Sequence, residues 1–251
     1  MNSKTAHSPH SVHSILGALI INVFILTACQ LTPTPGTNIP PIEVPTAPSP
    51  HSPTPPAPTI PPVAAPVNSG KSCKSSDPDF QCMALKVVSY EDSQMPSVLS
   101  EAKALELVDQ MNAVWSPCKI GFQMESYLSI NPITVGLDFH PNWRTQSTQV
   151  RSTFSDSQSF LVVATGSFSS ATIAVTQMPG YAPFGTLVEE QYADNPLTVG
   201  HELGHYMGLY HLRNSTNLMN PYIGPHTENL TASQCEIARS TNRSNWVHMM
   251  R

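Results

Sequence analysis

The chain has 251 residues, only 12% of them charged, and a formal net charge of −5 at pH 7. This balance provides no basic surface for a phosphate backbone and excludes a nucleic-acid-binding role. Fourteen of the 25 prolines lie between Pro33 and Pro66. Composition therefore divides the chain into a leader, a Pro-rich segment and about 180 residues, which suit one domain with a single core.

Residues 1–28 are predicted to be a secretion signal. Lys4 gives a weakly positive start, and the apolar run over residues 15–27 is shorter than the roughly 20 residues that span a bilayer. The run ends in Leu-Thr-Ala-Cys29, which resembles the lipobox of bacterial lipoproteins. This resemblance implies cleavage before Cys29 and lipid attachment to it, and Gln30 favours the outer membrane over the inner one. The alternative is an ordinary cysteine after a conventional signal peptide.

Residues 29–70 are predicted to be a tether that begins at the lipidated Cys29. The segment is rich in Pro, Thr, Ser and Ala and nearly free of charge, so it favours extended polyproline-like conformations at about 3.1 Å per residue. Roughly forty such residues could hold a domain up to about 100 Å from a membrane. A spacer that reaches beyond a crowded surface and a passive linker are both compatible with this composition.

Residues 71–251 are predicted to form one domain. Alternating apolar residues over 83–90 predict a first strand. Apolar residues at helical intervals over 98–115 predict an amphipathic helix that packs on a sheet. Residues 119–127 and 159–165 predict two more strands, and the second is apolar enough to be buried on both faces.

The C-terminal half of this domain is predicted to hold an edge strand and two helices. Residues 171–178 alternate like an edge strand, and residues 197–208 form a helix that carries a histidine motif. A last helix is predicted to begin with Thr231 or Ser233 as its cap and to end near Thr241.

Four cysteines lie in the domain, namely Cys73, Cys82, Cys118 and Cys235. An even number of cysteines in an exported chain predicts two disulfides, and four cysteines permit three pairings among which the spacing does not choose. A second zinc site is the alternative, although no Cys-x-x-Cys pair supports it.

Residues 201–211 read His-Glu-Leu-Gly-His-Tyr-Met-Gly-Leu-Tyr-His. On a helix His201 and His205 project from one face a turn apart, where two imidazoles can bind one Zn²⁺ at about 2.0–2.1 Å. Gly208 allows a tight turn that brings His211 back as a third ligand. Three protein ligands with one open position are typical of catalytic zinc. An amphipathic helix with hydrogen-bonded histidines is the alternative.

Glu202 follows the first histidine of this motif. From the neighbouring part of the helix its carboxylate can reach a water at the metal without binding the metal itself. The residue is therefore predicted to act as general base and general acid.

The motif His-Glu-x-x-His-x-x-Gly-x-x-His resembles the metzincin clan of zinc peptidases. Asn-Leu-Met219-Asn-Pro lies eight residues past His211, an interval that most closely resembles the matrix metalloproteinases. The resemblance implies an α+β fold with a twisted, mostly parallel sheet, an antiparallel edge strand, an active-site helix and a C-terminal helix. It also implies His201, His205 and His211 as zinc ligands, Glu202 as the catalytic residue and Met219 as the floor of the site.

Several features depart from this family. The sequence around Cys73 does not resemble the latency motif of the matrix enzymes, and no dense run of aspartates indicates structural calcium sites. Tyr222 follows Met219 by three residues, whereas the zinc-binding tyrosine of astacins follows by two, so Tyr222 is predicted to be a pocket or core residue. His226 is predicted to be a solvated loop residue. These departures favour a distant bacterial branch.

The resemblance also implies a disulfide pairing. In the metzincin arrangement the first and last helices lie near each other behind the sheet, which implies a Cys118–Cys235 bridge. Cys73 and Cys82 are then left to close a small loop at the entrance of the domain.

Two functions compete. The first is a monomeric zinc metalloendopeptidase, anchored to a bacterial cell envelope, whose protein or peptide substrate adds to the edge strand near residues 171–178. The second is a non-catalytic, zinc-containing surface module that only binds. Glu202 separates them, because a binding module needs no general base beside the metal.

Overall fold

A computed structural model describes Cys73, residues 75–94 and residues 96–251. The predicted signal sequence, Cys29 and the Pro-rich tether lie outside the described residues. In the part of the chain that is described, no helix has the length and apolar character needed to cross a membrane.

Five strands form one sheet in the order β2-β1-β3-β5-β4. Strands β1, β2, β3 and β5 are parallel to one another, and β4 pairs with β5 in the antiparallel sense. The predicted α+β class, with a mostly parallel sheet and an antiparallel edge strand, is confirmed. The strands are β1 (Gln81–Tyr90), β2 (Ile120–Ile130), β3 (Phe160–Thr165), β4 (Ala174–Thr176) and β5 (Thr186–Glu189).

Helices cover both faces of the sheet. Helices α1 (Glu101–Trp115), α3 (Pro196–Tyr206) and α4 (Ala232–Asn245) share one core with alternate residues of the central strands. Helix α2 (Trp143–Phe154) packs on the opposite face in a second core. Every residue of β3 is buried, because its side chains point alternately into these two cores.

The ends of the helices follow their capping residues. The Ser100 side chain accepts a hydrogen bond from the Lys103 amide, so α1 begins at Glu101, three residues after the predicted start. Thr231 caps α4 in a capping box with Gln234, as one of the two predicted caps. This helix continues to Asn245, four residues beyond its predicted end.

Two elements were not predicted. Helix α2 has a mostly polar sequence, and only Val150, Arg151 and Phe154 of it are buried, so its apolar stripe is narrow. Strand β5 is buried, but it has only four residues and ends in a glutamate. Its sequence therefore lacks the apolar run that predicts a buried strand. The predicted edge strand over residues 171–178 is shorter than expected, because β4 pairs with β5 only over Ala174–Thr176.

Two disulfides join the cysteines in the pairing that the resemblance implied. Cys118 and Cys235 have a Cα–Cα distance of 4.8 Å, and Cys73 and Cys82 one of 5.4 Å. Cys118 lies directly after α1 and Cys235 in the first turn of α4. The long-range bridge thus fastens the last helix to the end of the first one.

Candidate metal centre

Helix α3 positions the first two histidines of the motif. Its N-terminus is fixed by Asn195, whose side chain accepts hydrogen bonds from the amides of Leu197 and Thr198. The apolar face of the helix packs into the main core through Val199 and Leu203. His201 is buried at 3% exposure and His205 is half-buried.

Main-chain carbonyls fix the orientation of both imidazoles. Nδ1 of His201 lies 2.7 Å from the Leu218 carbonyl oxygen, and Nδ1 of His205 lies 2.7 Å from that of Leu209. A carbonyl oxygen can only accept, so each Nδ1 carries the proton and donates it. The lone pair of each Nε2 is therefore free to bind a metal.

The three Nε2 atoms converge. Nε2 of His211 lies 3.2 Å from Nε2 of His201 and 3.2 Å from that of His205. Three nitrogens at about 2.0–2.1 Å from a tetrahedral Zn²⁺ are separated by about 3.3 Å. Among the described residues these histidines form the group whose donor atoms lie close enough together to bind one metal ion. The donor set fits zinc.

Gly208 returns the chain to the site after α3. Its φ of +82° is in the left-handed region, and a Cβ there would lie 2.9 Å from Oγ1 of Thr241. The next amide, that of Leu209, donates to the Gly204 carbonyl and closes the helix. The reversal brings His211 opposite the two helical histidines.

Met219 has no exposed surface and packs against α3. A Cβ added to Gly204 would lie 2.5 Å from Sδ of Met219, so the helix and the methionine are in contact only because residue 204 lacks a side chain. The Leu212 amide donates to the Met219 carbonyl, which ties this turn to the residue that follows His211. Met219 thus packs against α3 at the residue before His205, and its role as the floor of the site stays a prediction.

A buried pair of side-chain amides supports the turn that contains Met219. Asn217 and Gln234 exchange two side-chain hydrogen bonds of 2.8 and 3.0 Å, and Oδ1 of Asn217 also accepts from the Met219 amide. Gln234 belongs to the capping box of α4. The last helix therefore supports the turn that contains Met219.

Burial keeps the histidines neutral. It lowers the pKa of His201 to about 4, with a further contribution from the neighbouring His205, while the bond to Leu218 opposes the shift. Burial also lowers the pKa values of His205 and His211. Neutral imidazoles at neutral pH are the form that binds a metal.

Glu202 is buried at 7% exposure beside this cluster. Burial raises the pKa of its carboxyl group to about 7, although a hydrogen bond from Thr176 and the charge of Arg151 lower it. Oγ1 of Thr176 donates to Oε2 at 2.6 Å, and among the described residues Oε1 has no hydrogen-bond partner. A carboxyl group with a pKa near 7 can accept and return a proton at neutral pH.

A cavity of about 690 Å³ opens over the histidines. The edge strand forms one side of it and residues 221–223 form another. Trp143, Arg144 and Arg151 of α2 also line it, and Glu202 is the only carboxylate among the described residues that do so. The cavity wall therefore carries two guanidinium groups against one carboxyl group.

The remaining candidates lie at or beyond the rim. Tyr222 is 84% exposed and lines the cavity, so it is a pocket residue and the alternative of a core position is wrong. His226 is exposed and does not line the cavity, in keeping with the predicted loop position.

Two residues near Glu202 were not identified from the sequence. Thr176 is on the edge strand, and Arg151 is buried on α2, where Nε donates to the Gly185 carbonyl and Nη2 to the Val175 carbonyl. Neither belongs to a contiguous motif. If α2 had been predicted as a helix, the arginine within its apolar stripe would have been the only local signal for Arg151.

Comparison with known proteins identifies the family of the chain. The matrixin family model matches residues 86–239, more than half of the chain, and confirms the family resemblance of the histidine motif. The crystal structure of archaemetzincin from Methanopyrus kandleri is 12% identical, with 66% of this chain and 98% of that one covered and a TM-score of 0.46. Metalloproteinase-II from Bacteroides fragilis is 12% identical, with 63% and 53% covered and a TM-score of 0.43. None of the curated proteins compared with the chain matches it.

Proposed function

The chain belongs to the matrixin family of metallopeptidases, and on that premise we propose that it is a zinc-dependent endopeptidase of a bacterial cell envelope. The observation that carries the proposal is the convergence of three Nε2 atoms, 3.2 Å apart in two of the pairs, next to a buried carboxyl group. His201, His205 and His211 would hold the metal. Zn²⁺ bound there supplies a Lewis acid that polarises the scissile carbonyl and lowers the pKa of a water.

Glu202 acts as general base and then as general acid. Its Oε2 is engaged by Thr176, so Oε1 accepts the proton of the attacking water and returns it to the leaving amine. This role requires a carboxyl group that changes protonation near neutral pH, and the pKa of about 7 set by burial supports it.

The edge strand is the docking site for an extended substrate. The Gln177 amide donates to the Gly185 carbonyl, and the Glu189 amide donates to that of Ile173. Hydrogen-bonded pairs alternate along an antiparallel ladder, so Ala174 and Thr176 direct their main-chain groups away from β5. A peptide in extended conformation can pair with these groups beside the histidines.

The competing proposal, a zinc-containing module that only binds, gains no support from Glu202. Burial raises the pKa of this carboxyl group to about 7, so its burial is unfavourable for the charged form. Such burial does not stabilise the fold, and it does not stabilise a metal that the carboxyl group does not bind. A general base beside the three histidines would explain the same burial.

A cleavage assay tests the peptidase proposal. Purified protein is incubated with an unfolded protein substrate, with a chelator and after zinc is restored. We expect fragments from internal cleavage that disappear with the chelator and return with zinc. No cleavage by zinc-replete protein would refute the proposal and favour the binding module.

Anchoring through Cys29 is the second part of the proposal, supported by the apolar run and the lipobox that precede this cysteine. Acyl chains contribute about 0.8 kcal/mol per buried CH₂, so a Cys29→Ser variant should incorporate no labelled fatty acid and should leave the membrane fraction. Unlabelled wild type, together with a serine variant that stays in the membrane fraction, would contradict the anchor.

A further inference from the structure

Two hydroxyl groups connect the sheet to Glu202 through hydrogen bonds. Oγ1 of Thr176 donates to Oε2 of Glu202 at 2.6 Å, and Oγ1 of Thr176 lies 2.7 Å from Oγ1 of Thr186. A hydroxyl has one proton. Because Thr176 gives its proton to the carboxylate, Thr186 must donate to Thr176, and the order of donors is Thr186, Thr176, Glu202.

The buried strand β5 holds Thr186, the first donor of this series. Thr186 has no exposed surface and lies on β5, directly opposite Thr176 in the register of the two strands. Both side chains are β-branched, so each has few rotamers available. The hydroxyl of Thr176 therefore has a fixed position relative to the sheet and transmits it to the carboxyl group of Glu202.

The same residue belongs to the docking edge. The main-chain groups of Thr176 point away from β5, as the hydrogen bonds at Ile173 and Gln177 indicate, while its side chain contacts Glu202 on the opposite element, α3. A substrate paired with β4 thus bonds to the residue that orients the general base.

We propose that Thr176 is a positioning residue, which directs Oε1 of Glu202 toward the attacking water and fixes that direction relative to a substrate on the edge strand. The inference rests on the proposed peptidase function. It differs from a structural role, because it requires the hydroxyl group and affects turnover more than substrate binding.

The test compares zinc-replete wild type with Thr176→Val and Thr176→Ser. Valine keeps the β-branched shape, which suits a strand, and removes the donor, whereas serine keeps the donor and loses the methyl group. We expect kcat to fall roughly 10-fold in the valine variant, the usual effect of losing one hydrogen bond to a charged group. KM should stay within about two-fold, since the main-chain groups are unchanged, and serine should restore kcat to within about two-fold.

Thr165→Val is the matched control. Thr165 is buried on β3, and its hydroxyl donates only to the adjacent Gly166 carbonyl. The same change of hydroxyl to methyl should leave kcat and KM unaltered there. A fall in kcat equal to that of Thr176→Val would assign both effects to the sheet and overturn the proposal.

A crystal structure of the zinc-bound Thr176→Val variant provides a readout that does not depend on activity. The proposal predicts that the carboxyl group of Glu202 rotates away from its wild-type position while the three imidazoles stay in place. An unmoved carboxyl group would overturn the positioning role, as would a serine variant as slow as the valine one. Wild type that cleaves nothing would instead refute the peptidase function, and this structure would still decide whether Thr176 orients Glu202.

Discussion

The two walls of the cleft are assembled in different ways. The lower wall, residues 196–221, is a continuous piece of chain that contains the three histidines, Glu202 and Met219. The upper wall consists of residues 171–177, which contain the edge strand β4, together with Arg144 and Arg151 of α2. Bonds from histidine side chains to main-chain carbonyls of the same segment, together with the buried Asn217, hold the lower wall. The main-chain ladder between β4 and β5 and the side-chain bonds of Arg151 hold the upper one.

This difference separates two tasks. A metal cage requires donor atoms placed to within a fraction of an ångström, which a helix and one tight turn achieve with local spacing alone. A substrate wall must only present main-chain groups and charges, so it can be built from distant parts of the sequence. In the proposed function the lower wall would supply the chemistry, and the upper wall would supply orientation and selectivity.

The largest expected effect concerns the disulfide that fixes α4, the helix that supports the lower wall. The Cys118–Cys235 bridge closes a loop with a sequence separation of 117, against 9 for Cys73–Cys82. By the chain-entropy account, replacing both cysteines by serine should cost about 4–5 kcal/mol of unfolding free energy for the long loop and about 2–3 for the short one. Urea denaturation of the two double variants measures the difference. Equal losses would show that the long bridge does not constrain the unfolded chain as proposed.

Removing a ligand should have the next largest effect. His211→Ala leaves two of three imidazoles, and the affinity for zinc should fall at least 100-fold, about 2.7 kcal/mol. Competition with a chromophoric chelator measures the affinity. The control is His226→Ala, an exposed histidine outside the cavity, which should bind zinc like wild type. An unchanged affinity in His211→Ala would remove this residue from the site.

The pH dependence of stability sharpens the comparison within metal-free protein. Burial lowers the pKa of His201 from 6.5 to about 4, so between these values only the unfolded chain binds this proton, and stability falls as the pH drops. Burial raises the pKa of Glu202 from 4.5 to about 7. In that window the folded chain retains the proton, and stability falls as the pH rises.

Glu202→Gln removes only the second of these contributions. The unfolding free energy of the variant, relative to wild type, should therefore increase by on the order of 2 kcal/mol between pH 4.5 and 7.5. Denaturation in the presence of a chelator across this range measures the change. A difference in unfolding free energy that does not change with pH would mean that burial does not raise the pKa of Glu202.

The smallest expected effect concerns the upper wall. Arg144 lines the cavity at the surface, stacked 4.6 Å above the ring of Trp143. Because an exposed charge contributes about 0.2–1 kcal/mol, Arg144→Gln should raise KM about 2–5-fold for a peptide with acidic side chains and leave it unchanged for a neutral one. Equal KM changes for both peptides would show that this charge does not select substrates.

The contrast between the walls also explains what the sequence could predict. The histidine motif, the apolar β3 and the cap at Thr231 are local signals, because each depends on residues within a few positions of one another. Thr176 and Arg151 have no local pattern, since Glu202 lies 26 residues from Thr176 and Val175 lies 24 residues from Arg151. Helix α2 escaped prediction because only three of its residues are buried, and β5 because four residues are too few for an alternating pattern.

The boundaries that shifted have equally physical causes. The edge strand was expected over residues 171–178, but β5 offers partners for β4 only over three positions. Helix α1 was expected from Val98, yet the amide of Leu99 donates to the side chain of Ser89 in β1. The tertiary partner of the backbone, and not its propensity, decides both ends.

The most direct test of the central claim compares wild type with Glu202→Gln at equal zinc content. The claim predicts that both proteins bind one zinc ion with the same affinity, and that cleavage of an unfolded protein by the variant is at least 100-fold slower, since acid–base catalysis contributes about 10²–10⁴-fold. Glu228→Gln, which removes an exposed carboxylate, should cleave like wild type. Equal turnover by wild type and the Glu202 variant would contradict the account.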